Sequence, residues 1–126
     1  VLESLRIATS FTDAVLNELP EMPDRSRLRH DLALVSSEAL TNALRHSECA
    51  EMPVRLAYSF DSGGIVITVT DHGVGFDPDA VPLPNFEEGS EGGYGIYIMK
   101  TIMDDMLYEK TADGNNLILT KSWVLA

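Results

Sequence analysis

The spacing of apolar residues changes along this chain, and the change limits the folds available to it. Up to His46, apolar residues recur every three or four positions, as they do on one face of a helix. Beyond Pro53, short strand-like runs come in two pairs, and each pair is joined by a turn that contains glycine. This order predicts helices that pack on one face of a mainly antiparallel sheet.

The predicted element order is α, α, β, β, a long loop, α, β, β. The predicted helices cover about residues 5–19 and 25–46, and a third helical period runs from Ile96 through Met99, Ile102, Met103 and Met106. The predicted strands cover about residues 53–60, 65–70, 107–110 and 116–123. We therefore expect an α+β fold, a two-layer sandwich, that forms one domain over residues 1–126.

Composition restricts the partners and the compartment. The 126 residues carry a formal charge of −11, which argues against nucleic acid as the main partner. No apolar run approaches the roughly 20 residues that span a bilayer, and the first ten residues lack the apolar segment of a signal peptide. The one cysteine, Cys49, cannot form an internal disulfide. We expect a cytoplasmic protein that does not enter a membrane.

A polar row lies on the second predicted helix. Glu38, Asn42 and His46 are four residues apart, so they fall along one line of the helix surface, at the margin of the apolar stripe. An asparagine there can offer its carboxamide oxygen to Mg²⁺, and a glutamate one turn earlier can deprotonate a hydroxyl group. A solvated polar ridge would look the same.

Two glycine-rich segments flank the long loop. The first segment, Asp71-His72-Gly73-Val74-Gly75-Phe76, directly follows a predicted strand, and its glycines let the backbone approach a ligand. The Asp71 carboxylate can accept a hydrogen bond from an amino group such as that of adenine. Gly92-Gly93-Tyr94-Gly95 opens the helix that begins near Ile96, where free N–H groups favour phosphate. No Lys-Ser/Thr pair follows, which excludes a Walker A loop. Each segment alone also fits an ordinary turn or helix entry.

The order of these three elements is more specific than any one of them. The chain contains, in order, Ser37-Glu38-Ala39-Leu40-Thr41-Asn42-Ala43 with His46, then Asp71-x-Gly73-x-Gly75-Phe76, then Gly93-x-Gly95. This order of motifs resembles the GHKL ATPase superfamily. The resemblance implies the Bergerat ATP-binding fold. Within the superfamily, the compact length and the short lid between Phe76 and Gly92 are most similar to the anti-sigma-factor serine/threonine kinases of bacterial partner-switching systems.

The resemblance also implies a role for each matched position. Asn42 would ligate Mg²⁺, and Glu38 would be the catalytic base for an attacking serine hydroxyl. The remaining matched positions would bind ATP: His46, Asp71, Gly73, Gly75, Phe76, Gly93, Tyr94, Gly95 and Ile96. Asp71 in particular would recognise the adenine amino group.

The chain departs from the family pattern in three places. Residues 77–95 contain no Arg or Lys for the phosphates and carry Glu87, Glu88 and Glu91 instead. Asn115 and Asn116 occupy the positions where the family usually has a threonine near the adenine base. The family begins with a strand, and only residues 2–7 could supply it, against their helical spacing.

Three functions fit these observations. The first is a kinase that phosphorylates an anti-sigma-factor antagonist; the second is a non-catalytic, nucleotide-gated module that sequesters a sigma factor or regulates a phosphatase. The third is the catalytic domain of a histidine kinase. The resemblance also implies a homodimer. The basic cluster Arg25, Arg27, Arg29 and His30 is either a solvated helix start or a docking patch for an acidic protein.

Overall fold

The structure is a computed structural model that describes residues 2–19, 24–46, 52–75, 77 and 94–123. Within these residues, three α-helices and a four-stranded sheet follow the predicted order. The helices are α1 (Leu2–Asn17), α2 (Arg25–His46) and α3 (Tyr94–Ile102), and the strands are β1 (Arg55–Asp61), β2 (Gly64–Asp71), β3 (Asp105–Thr111) and β4 (Gly114–Ser122). The sheet order is β1-β2-β4-β3, and every neighbouring pair is antiparallel.

The helices cover one face of the sheet, as the sequence predicts. Burial alternates along β2, so that Ile65, Ile67 and Val69 face the helices and are almost fully buried. They join one apolar core with α2 and β4, which contribute Leu32, Val35, Ala39, Ala43, Leu117 and Leu119. Each large apolar side chain of this kind stabilises the fold by roughly 1.5–3 kcal/mol. The α+β prediction is therefore confirmed.

Two local expectations differ from the structure. Residues 2–7 belong to α1, so the strand that the resemblance implies does not form there. The helical spacing continues through Met106, whereas α3 ends at Ile102 and Met106 lies on β3. On the strand, Met106 alternates with exposed neighbours and packs against the core from the sheet side. A strand residue can therefore match a helical spacing by coincidence.

Part of the basic cluster joins α1 to α2. The Arg29 guanidinium donates to both carboxylate oxygens of Asp13, at 2.5 and 3.2 Å, and this hydrogen bond lowers the pKa of the Asp13 carboxyl. Arg25 donates to the Leu16 carbonyl near the end of α1, and Arg27 lies 3.9 Å from Asp31. These three arginines therefore have partners within the chain, which favours the structural interpretation of the cluster over a docking patch.

Candidate nucleotide site

The adenine end of the predicted site lies where β2 ends. Asp71 is the last residue of β2, faces the helices and is only 4% exposed. Its Oδ1 atom accepts two hydrogen bonds, one from the Gly73 backbone N–H at 2.9 Å and one from Asn115 Nδ2 at 3.0 Å. The same Nδ2 group donates to the Gly73 carbonyl at 2.9 Å. Because both bonds to the carboxylate use Oδ1, they leave Oδ2 to other partners.

Asn115 therefore holds the glycine turn in place. It sits on β4 directly opposite Asp71 in the strand register and is 5% exposed. In the sequence, Asn115 stands out only as a departure from the usual threonine, and nothing connects it with a residue 44 positions away. The register of the β2–β4 pair supplies that connection.

The turn then crosses over β4 towards β3. Gly75 has φ of +81°, a conformation that L side chains rarely adopt. A Cβ atom at Gly75 would lie 2.4 Å from Lys110 Cε and 3.0 Å from Tyr108 Oη. Position 75 therefore needs glycine for its backbone angle, whereas the end of the flexible Lys110 side chain could move aside for a Cβ atom.

We expect Gly75→Ala to lower the free energy of unfolding by about 1–2 kcal/mol, because the positive φ is strained for alanine. This corresponds to a Tm lower by several degrees, together with weaker ATP binding because the turn is displaced. Thermal unfolding and calorimetry with ATP would measure both effects. Gly63→Ala is the matched control, since Gly63 lies in an exposed hairpin turn without a positive φ. Equal Tm and ATP affinity in the two variants would contradict the assigned role of Gly75.

The predicted phosphate end is a cleft of about 250 Å³ between α2 and the first turn of α3. The cleft brings together five of the predicted site residues. Its lining consists of Glu38, Thr41, Asn42, Arg45, Tyr94, Gly95 and Ile96. Glu38 and Asn42 are half-buried, which agrees with their predicted position at the margin of the buried face.

Glu38 lies against the beginning of α3. A Cβ atom built on Gly95 would be 2.8 Å from Glu38 Oε2, so the absence of a side chain at Gly95 gives the carboxylate room. A negative charge is favourable at a helix N-terminus, where backbone N–H groups lack helical acceptors. An anion such as phosphate would be attracted to the same place.

Arg45 is a residue of the cleft that the sequence motifs do not include. It lies three residues after Asn42 and seven after Glu38, a spacing that places all three on one side of α2. Its guanidinium makes no hydrogen bond or ion pair with any residue in the described part of the chain. The cleft therefore contains a cation close to the expected position of the phosphates. This spacing is the signal that could have identified it.

The two ends of the predicted site border the same core. The core cluster includes Ala39 and Ala43 from α2, Val69 from β2 and Ile96 from α3. The Asp71 turn itself does not line the cleft. The predicted residues Phe76 and Gly93 lie outside the described residues, as does the side chain of His46, the last residue of α2. Their roles stay predictions.

No metal-binding cluster of three or more His, Cys, Asp or Glu side chains occurs among the described residues. A Mg²⁺ ion bound together with substrate phosphates requires only one or two protein oxygens. The half-buried Asn42 carboxamide in the cleft fits that requirement. In the same ranges, no helix has the length and apolar character needed to cross a membrane.

Several known proteins have sequences related to this chain. The serine/threonine-protein kinase BtrW of Bordetella bronchiseptica is 29% identical in an alignment of 128 positions, gaps included, that covers 94% of this chain and 90% of that protein. The anti-sigma F factor of Pasteuria penetrans is 38% identical over 70% of this chain, and the serine-protein kinase RsbW of Bacillus subtilis is 31% identical over 72%. The aligned regions span 63% and 62% of those two relatives, less than two thirds of their length.

A structural comparison supports the fold independently. The mycobacterial sensor histidine kinase MprB aligns with 99% of this chain at a TM-score of 0.53 and 19% identity, and the alignment covers 97% of that structure. The family described as the histidine kinase-like ATPase domain matches residues 2–121. On this evidence the chain belongs to the histidine kinase-like, or GHKL, ATPase family.

Proposed function

We propose that this chain is an ATP-dependent protein serine/threonine kinase of the anti-sigma-factor type, which phosphorylates an antagonist protein in a bacterial partner-switching system. The observation that carries the proposal is the cleft in which Glu38, Asn42 and Arg45 meet the N-terminus of α3. Relatives named as serine-protein kinases and as an anti-sigma factor support the same class of activity. The proposed compartment is the cytoplasm.

The residues of the cleft divide the chemistry among them. Asn42 would offer its carboxamide oxygen to Mg²⁺, which takes oxygen ligands and neutralises phosphate charge in phosphoryl transfer. Arg45 and the N–H groups at the start of α3 would hold the β- and γ-phosphates. Asp71 Oδ2 would accept a hydrogen bond from the adenine amino group and so orient the nucleotide.

Glu38 would act on the protein substrate. Its carboxylate accepts the proton of the serine hydroxyl while the serine oxygen bonds to the γ-phosphorus. The bond between the γ-phosphorus and the β,γ-bridging oxygen breaks, and ADP leaves with the electron pair. Such transfer depends mainly on positioning and charge neutralisation, so one base and a few fixed donors suffice.

The direct test uses ATP labelled in its γ-phosphoryl group, with the antagonist protein of the same partner-switching system as acceptor. The expected result is label on one serine or threonine of the antagonist and none on a variant with alanine at that position. Calorimetry with ATP and Mg²⁺ measures binding separately. Nucleotide binding without any labelled antagonist would refute the kinase proposal.

A second candidate is a binding module that captures a sigma factor under nucleotide control and does not turn over ATP. The name of the Pasteuria penetrans relative and the acidic residues of the long loop favour it. Replacing Glu38 distinguishes the two candidates, because capture alone does not need a base. Under the binding-module candidate, Glu38→Ala would bind its partner as the parent does.

Arg45→Gln should weaken ATP binding by about tenfold or more, because a hydrogen bond to a charged group contributes roughly 1.5–3 kcal/mol. AMP lacks the β- and γ-phosphates, so its affinity should change little. Calorimetry with both nucleotides gives the comparison, and Arg6→Gln on the exposed surface of α1 is the matched control. A loss of AMP affinity as large as the loss of ATP affinity would contradict a contact with the terminal phosphates.

A further inference from the structure

A second cavity, of about 370 Å³, lies on the face of the sheet that the helices do not cover. It is lined by Met52, Pro53, Arg55, Thr70, His72, Thr111, Asp113 and Asn116. Thr70 and Asn116 alternate with Asp71 and Asn115, which face the helices, so the cavity and the nucleotide site lie on opposite sides of the sheet. Its volume is in the range of small-molecule sites.

A row of polar side chains forms the floor of this cavity. Arg55 on β1 pairs in register with Thr70 on β2, and Thr70 pairs with Asn116 on β4. The Thr70 hydroxyl donates to Asn116 Oδ1 at 2.7 Å. Because this bond occupies the carboxamide oxygen, the Asn116 side chain has its NH₂ group left as a donor.

Two further groups at the cavity have no hydrogen-bond partner among the described residues. The Arg55 guanidinium makes no hydrogen bond or ion pair with any described residue, and His72 Nδ1 is buried without a hydrogen-bond partner. A buried polar atom that has given up its water without gaining a partner destabilises the fold, so a ligand that bonds to it would be favoured. The His72 ring is held on its other side by close packing over Gly114, where a Cβ atom would be 3.2 Å from Nε2.

These groups select a class of ligand. Arg55 supplies a positive charge and the Asn116 NH₂ group supplies a directed donor, which together suit the oxygens of an anion. His72 Nδ1 is a second directed donor when it carries the ring proton. Among the described lining residues, Asp113 carries the one carboxylate. The Thr111 hydroxyl is already engaged, since it donates to the Gly114 carbonyl and accepts from the Asp113 N–H.

We propose that this cavity is a second binding site, separate from the nucleotide site, for the carboxylate or phosphate group of a small molecule. Arg55, Asn116 and His72 are the residues that bind the oxyanion. Thr70 acts as a positioning residue, because its hydrogen bond sets the orientation of the Asn116 carboxamide.

The experiment is a nuclear magnetic resonance titration at constant ionic strength, with inorganic phosphate and succinate added separately at millimolar concentrations. We expect at least one anion to produce saturable shifts of the His72 imidazole nitrogens and the Asn116 side-chain amide, with ATP present as well as without it. Saturation by phosphate alone identifies a phosphate ligand, and saturation by succinate alone identifies a carboxylate ligand. Failure of both anions to produce saturable shifts would overturn the proposal.

Two variants test the assigned residues. Arg55→Gln should weaken anion binding by at least about tenfold, as expected for a lost charge-assisted hydrogen bond. Arg27→Gln on α2 should leave the anion affinity unchanged. Asn116→Asp keeps an acceptor for Thr70 and replaces the donor by a negative charge, so it should abolish binding. Unchanged affinity in Arg55→Gln and Asn116→Asp would also overturn the proposal. Neither outcome depends on kinase activity.

Discussion

Asp71→Asn should weaken ATP binding on the order of 100-fold while the fold stays intact. The carboxamide oxygen of the new side chain must take the two hydrogen bonds that Oδ1 accepts in the parent, from Gly73 and Asn115. Its NH₂ group then replaces Oδ2 and faces the amino group of adenine, donor against donor. Loss of a charge-assisted hydrogen bond together with this repulsion amounts to about 3 kcal/mol.

The same change should alter base selectivity. Guanine carries a carbonyl oxygen where adenine carries its amino group, so the NH₂ group that the substitution introduces can donate to it. Calorimetry with ATP and GTP would therefore give a smaller ratio of affinities for the variant than for the parent. Asp105→Asn, at an exposed position of β3, is the control and should leave both affinities unchanged. ATP affinity and selectivity equal to the parent's would exclude Asp71 as the adenine-binding residue.

Glu38→Gln should slow phosphoryl transfer by about 10²–10⁴-fold, the usual contribution of a general base. Glutamine keeps the shape of the side chain beside Gly95 but cannot accept the serine proton. ATP affinity should not fall, and it should rise up to about fivefold, because a like charge at contact distance opposes the phosphates by about 1 kcal/mol in a watery cleft. Transfer and binding therefore change in opposite directions.

Single-turnover transfer to the antagonist and calorimetry with ATP would measure the two effects. Glu109→Gln on the exposed edge of β3 is the matched control, since it removes the same charge away from the cleft. A variant of Glu38 that still transfers phosphate at the parent rate would show that another group takes the proton. Equal losses of transfer and binding would indicate damage to the cleft rather than loss of a base.

The elements of the fold were largely predictable because each depends on local sequence. Pro20 and the apolar spacing predict the first helix, and the glycine turns predict both hairpins. The third helix is shorter than its spacing predicts, because Met103 and Met106 continue that spacing into a strand. Leu44 follows the apolar spacing of α2 but is 54% exposed, so the buried face of this helix is narrower than the spacing suggests.

The candidate site was predictable only in part, because several of its contacts join residues far apart in the chain. Motifs identify Glu38, Asn42 and Gly95, and the cleft brings them together. The bond between Asn115 and Asp71 depends on the register of β2 and β4, which no local pattern specifies. The spacing of Arg45 from Asn42 and Glu38 is visible in the sequence. A charged residue near a helix end is usually a solvent-exposed surface residue, however, so this spacing alone does not indicate a functional role.

Asp71 and His72 are neighbours in sequence that face opposite sides of the sheet. Asp71 faces the predicted adenine position, and His72 faces the oxyanion cavity. One peptide unit therefore connects the two proposed sites. A Cβ atom at Gly114 would lie 2.9 Å from the Asp71 carbonyl oxygen of this unit and would also approach the His72 ring. A ligand that displaced this unit would shift a residue of each proposed site. Thermodynamic linkage makes any such effect reciprocal. If the anion changes the dissociation constant of ATP by some factor, ATP must change the dissociation constant of the anion by the same factor.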